Sequence, residues 1–162
     1  MEQRTQEWYQ ARLGRVTASR IADVMMKPST AGYQNYRAQL ICERLTGPPT
    51  ETFTSAAMQH GTETEPQARA VYTMNTGNAV EEVGFIPHPK LAMSGASPDG
   101  LIAADGGLEI KCPQPAEHIR MRTGGAIQKK YVLQMQWGMA CTGREWWDFV
   151  SFSPALPDEM QM

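Results

Sequence analysis

The stretch SPDGLIAADGGLEIKC, residues 97–112, decides how the centre of this chain is expected to fold. Two short apolar segments, GLIAA and GGLEIKC, are bounded by proline, aspartate and glycine, a pattern typical of strands joined by tight turns. SPDG and ADGG supply the turns. Because side chains alternate between the faces of a strand, Glu109 and Lys111 should project together, on the face opposite Ile110. A bend after Asp99 would bring its carboxylate beside that of Glu109.

Three helices are predicted before this stretch. Their apolar residues recur at helical spacing in EWYQARLG, TASRIADVMM and QNYRAQLICERLTG. Thr17 or Ser19 is a possible cap for the second helix, and Gly47 is placed to end the third. TGPP at 46–49 is then predicted to be a loop.

A fourth helix is predicted over residues 54–77. Thr54 and Ser55 are its possible caps, and Pro66 should kink or restart it. The segments AVEEVGF and KLAMSGA come next, and with the two strands above they would form one antiparallel meander.

The remainder of the chain returns to helix and strand. After Pro113 and Pro115, which should end the preceding strand, a basic linking segment leads to the apolar helix YVLQMQWGMACTG, stopped by Gly143. WWDFVSFS supplies an alternating final strand. This order predicts an α/β (α+β) fold in which a central mixed β-sheet is flanked by helices.

Length and composition restrict the kinds of protein that this chain could be. A length of 162 residues suits one buried core, so residues 1–162 are expected to form a single domain. We expect no membrane span, because no apolar run is long enough, and a cytoplasmic location, because MEQRTQEWYQ lacks a secretory signal. The three cysteines are widely spaced and are expected to be reduced. The net charge of −2 neither supports nor excludes a nucleic-acid partner.

The grouping of Asp99, Glu109 and Lys111 suggests metal chemistry. Two adjacent carboxylates are the hard oxygen ligands that Mg²⁺ or Mn²⁺ prefers. An amine beside them could orient or deprotonate an attacking water, or stabilise a pentavalent phosphorus. The alternative is that Glu109 and Lys111 form a solvated strand pair and Asp99 is only a turn residue. Spacing alone does not choose between these interpretations.

Further motifs extend this pattern along nearly the whole chain. In order they are W-Y-x-x-R-L-G-R-V-T-A-S at 8–19, G-T-E-T-E-P-Q-A-R at 61–69, S-P-D-G at 97–100, L-E-I-K-C-P at 108–113 and Q-M-Q-W-G-M at 134–139. On these motifs the chain resembles the lambda-exonuclease-type (YqaJ-type) viral recombinase nucleases, a branch of the PD-(D/E)xK superfamily.

The resemblance implies a restriction-endonuclease-like core and a function. That function is a metal-dependent 5′→3′ exonuclease of phage or prophage recombination, which hydrolyses terminal phosphodiesters of linear double-stranded DNA and leaves 3′ single-stranded overhangs. It also implies a single-strand annealing protein as partner and a homo-oligomer, in the lambda-type case a ring-shaped trimer. Family members usually continue further at the C-terminus than this chain does.

The resemblance also implies roles for individual residues. Asp99 and Glu109 would bind Mg²⁺, or Mn²⁺ in its place, together with the backbone carbonyl of Ile110. Lys111 would be the water-positioning base. Two further residues match the family's site: Glu65, which would reach the metal through water and would otherwise be interpreted as an exposed helical acid, and Gln134, which by itself suggests a surface or interface residue.

Arg12, Ser19 and Ser97 match the residues that bind the 5′ phosphate of the DNA end in this family. A guanidinium can make bidentate hydrogen bonds to phosphate, and a serine near a helix start adds a hydroxyl beside free backbone donors. Arg12 could equally form a surface ion pair, and Ser19 could be a helix cap.

Two other functions remain open. The same metal site would suit an endonuclease or a Cas4-like nuclease, although the scattered cysteines do not supply an iron–sulfur cluster. The other alternative is a catalytically silent DNA-binding or assembly module. The presence of Asp99, Glu109 and Lys111 together argues against a silent module.

Overall fold

The computed structural model describes residues 1–47 and 56–162, in which helices surround two small β-sheets. The helices are α1 (Gln6–Arg12), α2 (Ile21–Val24), α3 (Ala31–Thr46), α4 (Ala56–Thr76), α5 (Pro115–Arg122) and α6 (Lys129–Thr142). The strands are β1 (Val16–Thr17), β2 (Val80–Glu81), β3 (Ile86–Pro87), β4 (Ser94–Ala96), β5 (Gly100–Ile102), β6 (Gly106–Lys111) and β7 (Trp146–Ser151).

Both sheets are mixed, which confirms the predicted fold class. In the larger sheet the order is β2–β5–β6–β7; β2 and β6 run antiparallel to β5, and β7 runs parallel to β6. In the smaller sheet β4 lies between β1, which is parallel to it, and β3, which is antiparallel. The prediction of one antiparallel meander is therefore wrong. Partners such as β1 and β7 come from distant parts of the chain, and local turn signals carry no information about them.

Most predicted helices are present with the expected ends. Gly47 and Gly143, with φ of 86° and 72°, follow α3 and α6. The segment TASRIADVMM is only partly helical, because Thr17 belongs to β1 and a 3₁₀ turn, Ala18–Arg20, precedes α2. Neither Thr17 nor Ser19 caps it; their hydroxyls lie 3.3 Å from each other instead.

Two prolines, Pro66 and Pro115, lie within helices. Pro66 lies inside α4, which continues to Thr76 without a restart. Pro115 begins α5 in the segment predicted as a basic link, because its fixed φ suits the first turn of a helix. The predicted caps Thr54 and Ser55, and part of the predicted TGPP loop, lie outside the described residues.

The main core lies between α4 and the larger sheet. Leu108 and Ile110 of β6, Phe152 after β7, and Ala68 and Tyr72 of α4 are all buried there. On β6, Gly107 leaves room for Trp147, since a Cβ atom at Gly107 would approach the indole to 2.4 Å. The strand that carries Glu109 and Lys111 therefore packs against the core on one face and pairs with β7 along one edge.

Two expectations from composition can be compared with the structure. Across residues 1–47 and 56–162, no helix combines the length and the apolar character needed to cross a bilayer. Cys42, Cys112 and Cys141 are free thiols, as predicted.

Candidate active site

Asp99 lies where β5 begins beside β6. Gly100 of β5 is opposite Leu108, and the Asp99 Oδ2 accepts a hydrogen bond of 2.7 Å from the Ile110 N–H. The N–H and C=O of one strand residue point to the same side of the strand, so the Ile110 carbonyl faces this edge as well. The Lys111 carbonyl points to the opposite side, where it accepts from the Phe152 N–H at 2.9 Å. The Asp99 carboxylate and the Ile110 carbonyl therefore lie on the same edge of β6, the edge beside β5.

Glu109 and Lys111 lie together on one face of β6, as their spacing predicted. Glu109 is only 2% exposed, and its Oε1 accepts a hydrogen bond from the Lys111 Nζ. The Lys111 amine also lies 5.3 Å from the centre of the Tyr131 ring, which stacks on Phe149. Lys111 is thus held between a buried carboxylate and an aromatic face.

The three charges perturb one another strongly. Burial, and next the neighbouring Glu109, raise the pKa of Asp99 well above its ordinary value. Burial also raises the pKa of Glu109, although Lys111 opposes that shift. Burial disfavours the charge on Lys111, but Glu109 and Asp99 outweigh burial and the pKa of the amine is raised. Lys111 is therefore a charged hydrogen-bond donor.

Glu65 on α4 lies close to this group and is held by two arginines. Its Oε1 accepts from Arg69 at 2.8 Å and its Oε2 accepts from Arg4 at 2.5 Å. Arg69 also donates to the Asp99 carbonyl oxygen at 3.2 Å. Glu65 contributes to the raised pKa of both Asp99 and Glu109, after the larger causes given above. α4 is therefore tied directly to the turn that carries Asp99.

The donor atoms present suit a hard divalent cation. Asp99 is a half-buried carboxylate and Glu109 a buried one; Glu109 disfavours the charge on Asp99, and a cation between them would relieve that repulsion. The Ile110 carbonyl adds a third oxygen on the same edge. In the part of the chain that the structure describes, no three His, Cys, Asp or Glu side chains are grouped closely enough to surround an ion. Two carboxylates and a carbonyl leave coordination positions for water and phosphate.

Arg12 and Ser97 are brought into direct contact. The Arg12 guanidinium donates to the Ser97 Oγ at 3.1 Å, and the Trp8 indole N–H donates to the same oxygen at 2.9 Å. Arg12 also stacks over the Trp8 ring, 4.0 Å from its centre. Burial lowers the pKa of Arg12, but a guanidinium stays protonated in proteins.

Ser19 lies in the same region as Arg12 but does not contact Ser97. Both Arg12 and Ser19 line a cavity of about 750 Å³ whose wall also carries Arg4, Arg15 and Arg20. Ser97 is not part of that wall, but both residues that donate to its hydroxyl, Trp8 and Arg12, line the cavity. Glu43 and Glu63 also line the cavity, so against four arginines this cationic cavity has a net positive lining.

Gln134 occupies the half-buried part of α6, one turn after Tyr131. Residues three apart lie on the same face of a helix. Gln134 therefore lies on the face of α6 that carries Tyr131, whose ring lies beside the Lys111 amine. Among the described residues its side-chain amide has no hydrogen-bond partner.

Four residues of this region were not singled out from the sequence: Arg4, Trp8, Arg69 and Tyr131. Trp8 and Arg69 lie within motifs quoted above, and the spacing of four between Glu65 and Arg69 is a signal for a helical ion pair. Arg4 had no such signal, because its contact with Glu65 joins residues far apart in the sequence.

Comparisons with known proteins identify the family. The sequence model of the YqaJ-like viral recombinase domain matches residues 7–145. The chain belongs to this family. No curated protein is significantly similar to this YqaJ-like chain.

Solved structures agree with that assignment. An alkaline exonuclease (LHK-Exo) from Laribacter hongkongensis is 55% identical, with a TM-score of 0.91 over 97% of this chain and 78% of its own. The structure of LHK-Exo in complex with dAMP is 56% identical, with a TM-score of 0.90 and the same coverage of both chains. A phage-related exonuclease from Haemophilus somnus 129PT, 17% identical, matches with a TM-score of 0.61 over 85% of this chain and 68% of its own, and shows the shared fold.

Proposed function

We propose that this chain is a Mg²⁺-dependent DNA exonuclease that hydrolyses the terminal phosphodiester of linear duplex DNA. The observation that carries the proposal is the convergence of Asp99, Glu109 and Lys111 at one edge of β6. The similar LHK-Exo is an alkaline exonuclease, and its complex with dAMP contains a nucleoside monophosphate, the class of product that exonucleases release.

Each residue of the site has a part in this reaction. Asp99, Glu109 and the Ile110 carbonyl would hold Mg²⁺, for which Mn²⁺ can substitute, and Glu65 would act through water. When bound, the ion neutralises phosphate charge and lowers the pKa of the attacking water. Lys111 would exchange its Glu109 partner for the water or the phosphate, and Gln134 lies on the helix beside it. A charged amine is suited to orienting water and to stabilising developing negative charge.

The cationic cavity supports a preference for one end of the DNA. Arg12, Ser19 and Ser97 would bind the 5′ phosphate there, and digestion would then proceed 5′→3′ and leave 3′ overhangs. We propose the same setting as for the family: recombination of phage or prophage DNA in the bacterial cytoplasm, with a single-strand annealing protein and as a homo-oligomer, in the form of a ring-shaped trimer. Light scattering on the purified protein would measure the assembly.

Digestion of linear duplex DNA labelled at either end tests the activity. The wild-type protein should release mononucleotides from 5′-phosphorylated ends in Mg²⁺ and leave closed circular DNA intact. Asp99→Ala and Lys111→Ala should lower the rate about 10²–10⁴-fold, the range for loss of a positioned catalytic group. Arg12→Ala should remove the preference for a 5′ phosphate, whereas Arg37→Ala, at an exposed arginine of α3, serves as control.

Three results would contradict parts of the proposal. Full activity of Asp99→Ala would exclude the metal site described above. Cleavage of closed circles would indicate an endonuclease. A wild-type protein that binds DNA but leaves it intact in both Mg²⁺ and Mn²⁺ would be a silent DNA-binding module.

A further inference from the structure

Arg4 occupies an unusual position before α1. Its φ of 67° is left-handed, a conformation that residues other than glycine rarely adopt. The preceding Gln3 holds the segment in place, because its side-chain amide donates to the Val83 carbonyl at 2.8 Å and to the Pro98 carbonyl at 2.7 Å. Pro98 is the neighbour of Asp99, so the segment is fastened to the candidate site itself.

The Arg4 side chain joins the candidate metal site to the cationic cavity. Its guanidinium lies 2.5 Å from the Glu65 Oε2, and the same side chain lines the cavity with Arg12. The Arg4 side chain is 40% exposed, whereas that of Arg69, the other partner of Glu65, is 13% exposed. Arg69 also holds the Asp99 carbonyl, so Arg4 is the partner that can leave Glu65 more easily.

A divalent cation and Arg4 would compete for the same carboxylate. Glu65 is near enough to Asp99 and Glu109 to disfavour the charge on both. A cation held by those two carboxylates would therefore repel the Arg4 guanidinium and replace it as the positive charge beside Glu65. Once released, Arg4 would remain on the wall of the cavity that Arg12 also lines.

We propose that Arg4 is a further DNA-binding residue, which pairs with Glu65 in the metal-free protein and with a phosphate of the DNA end once the metal site is filled. This inference rests on the proposed exonuclease function. A guanidinium forms bidentate hydrogen bonds with phosphate as readily as with carboxylate, so one side chain can serve both partners. Metal binding and DNA binding are then coupled through a single arginine.

The test measures metal and DNA separately in an Arg4→Gln variant. Mn²⁺ binding to the protein alone, followed by electron paramagnetic resonance, should become about two- to fivefold tighter, because a partly exposed competing cation is gone. Binding of 5′-phosphorylated duplex in Mg²⁺, measured by anisotropy in a Lys111→Ala background that does not consume the DNA, should weaken about tenfold. The slope of log affinity against log salt should fall by about one.

Controls separate this role from a structural one. Arg37→Gln removes an exposed arginine with no partner among the described residues, and both affinities should stay unchanged. Arg4→Lys should retain most of the DNA affinity. Unchanged or weaker Mn²⁺ binding in Arg4→Gln would overturn the proposal, as would unchanged DNA affinity. If the two affinities shift in opposite directions while the wild-type protein leaves DNA intact, the exonuclease function fails and the role of Arg4 stands.

Discussion

At the scale of single residues, the hydroxyl of Ser97 is constrained by its two neighbours. A serine oxygen accepts two hydrogen bonds and its proton makes one. Both acceptor positions of Ser97 are filled, by the Trp8 indole N–H at 2.9 Å and the Arg12 guanidinium at 3.1 Å. The proton of Ser97 is therefore left to donate to a further acceptor, next to a guanidinium. A hydroxyl and a guanidinium arranged in this way match the needs of an anion such as phosphate.

We therefore predict that Ser97→Ala lowers the preference for 5′-phosphorylated over unphosphorylated duplex by about tenfold or more, the effect of one hydrogen bond to a charged group. Competitive digestion of the two substrates measures the preference. Trp8→Phe keeps the ring beneath Arg12 and should have a smaller effect. Ser29→Ala, at an exposed serine, is the control. An unchanged preference in Ser97→Ala would exclude this hydroxyl from the binding of the DNA end.

At the scale of secondary-structure elements, Arg69 connects α4 to the turn before β5. It bonds Glu65 on its own helix at 2.8 Å and the Asp99 carbonyl at 3.2 Å, and it pairs with the exposed Glu82 at 3.1 Å. The planar guanidinium of Arg69 therefore holds Asp99 and Glu65 in position relative to each other. A residue that orients metal ligands in this way affects metal affinity without contacting the metal.

Arg69→Gln should weaken Mn²⁺ binding to the protein alone about 10–100-fold, the usual effect of losing a residue that supports metal ligands. Isothermal titration calorimetry measures this affinity, and the far-ultraviolet circular dichroism spectrum should remain that of the wild type. Glu82→Gln removes only the exposed partner of Arg69 and should leave the affinity unchanged. Equal Mn²⁺ affinity in Arg69→Gln and wild type would refute the link between α4 and the metal site.

At the scale of the whole molecule, the carboxylates of Asp99 and Glu109 make stability depend on pH. The pKa of Asp99 is raised in the folded protein, so the folded state binds its proton more tightly than the unfolded state does. This contribution to stability is fully present below about pH 4, the ordinary pKa of aspartate, and is lost as pH rises through the raised pKa. Glu109 acts in the same direction. The raised pKa of Lys111 keeps that amine charged throughout this range.

Without divalent metal, Asp99→Asn should consequently be more stable than wild type at pH 8, by about 2–4 °C in Tm for each kcal/mol of repulsion removed. The difference should shrink toward pH 5. Mg²⁺ should raise the Tm of the wild type and leave that of Asp99→Asn nearly unchanged, because binding stabilises only a protein that retains the site. Calorimetry in chelator and in Mg²⁺ gives both values, with Glu81→Gln as control. A less stable Asp99→Asn at pH 8 would contradict the inferred repulsion.

Local sequence alone was enough to predict much of this molecule. Helical spacing and terminal glycines predicted α1, α3 and α6, and the alternation along GGLEIKC placed Glu109 and Lys111 on one face of β6. The motifs at 8–19, 61–69, 97–100, 108–113 and 134–139 predicted the family that the comparisons confirm. These features depend on neighbours within a few residues, or on short patterns, and both are read directly from the chain.

Only the tertiary structure decided which distant segments meet. It divided the predicted meander into two sheets, paired β1 with β4 and β7 with β6, and brought Arg4 to Glu65 and Trp8 to Ser97. Such contacts depend on how helices and strands pack around a shared core, and no local propensity encodes that packing. The sequence by itself therefore determined the residue types of the candidate site and their order, whereas packing determined which arginine holds which carboxylate.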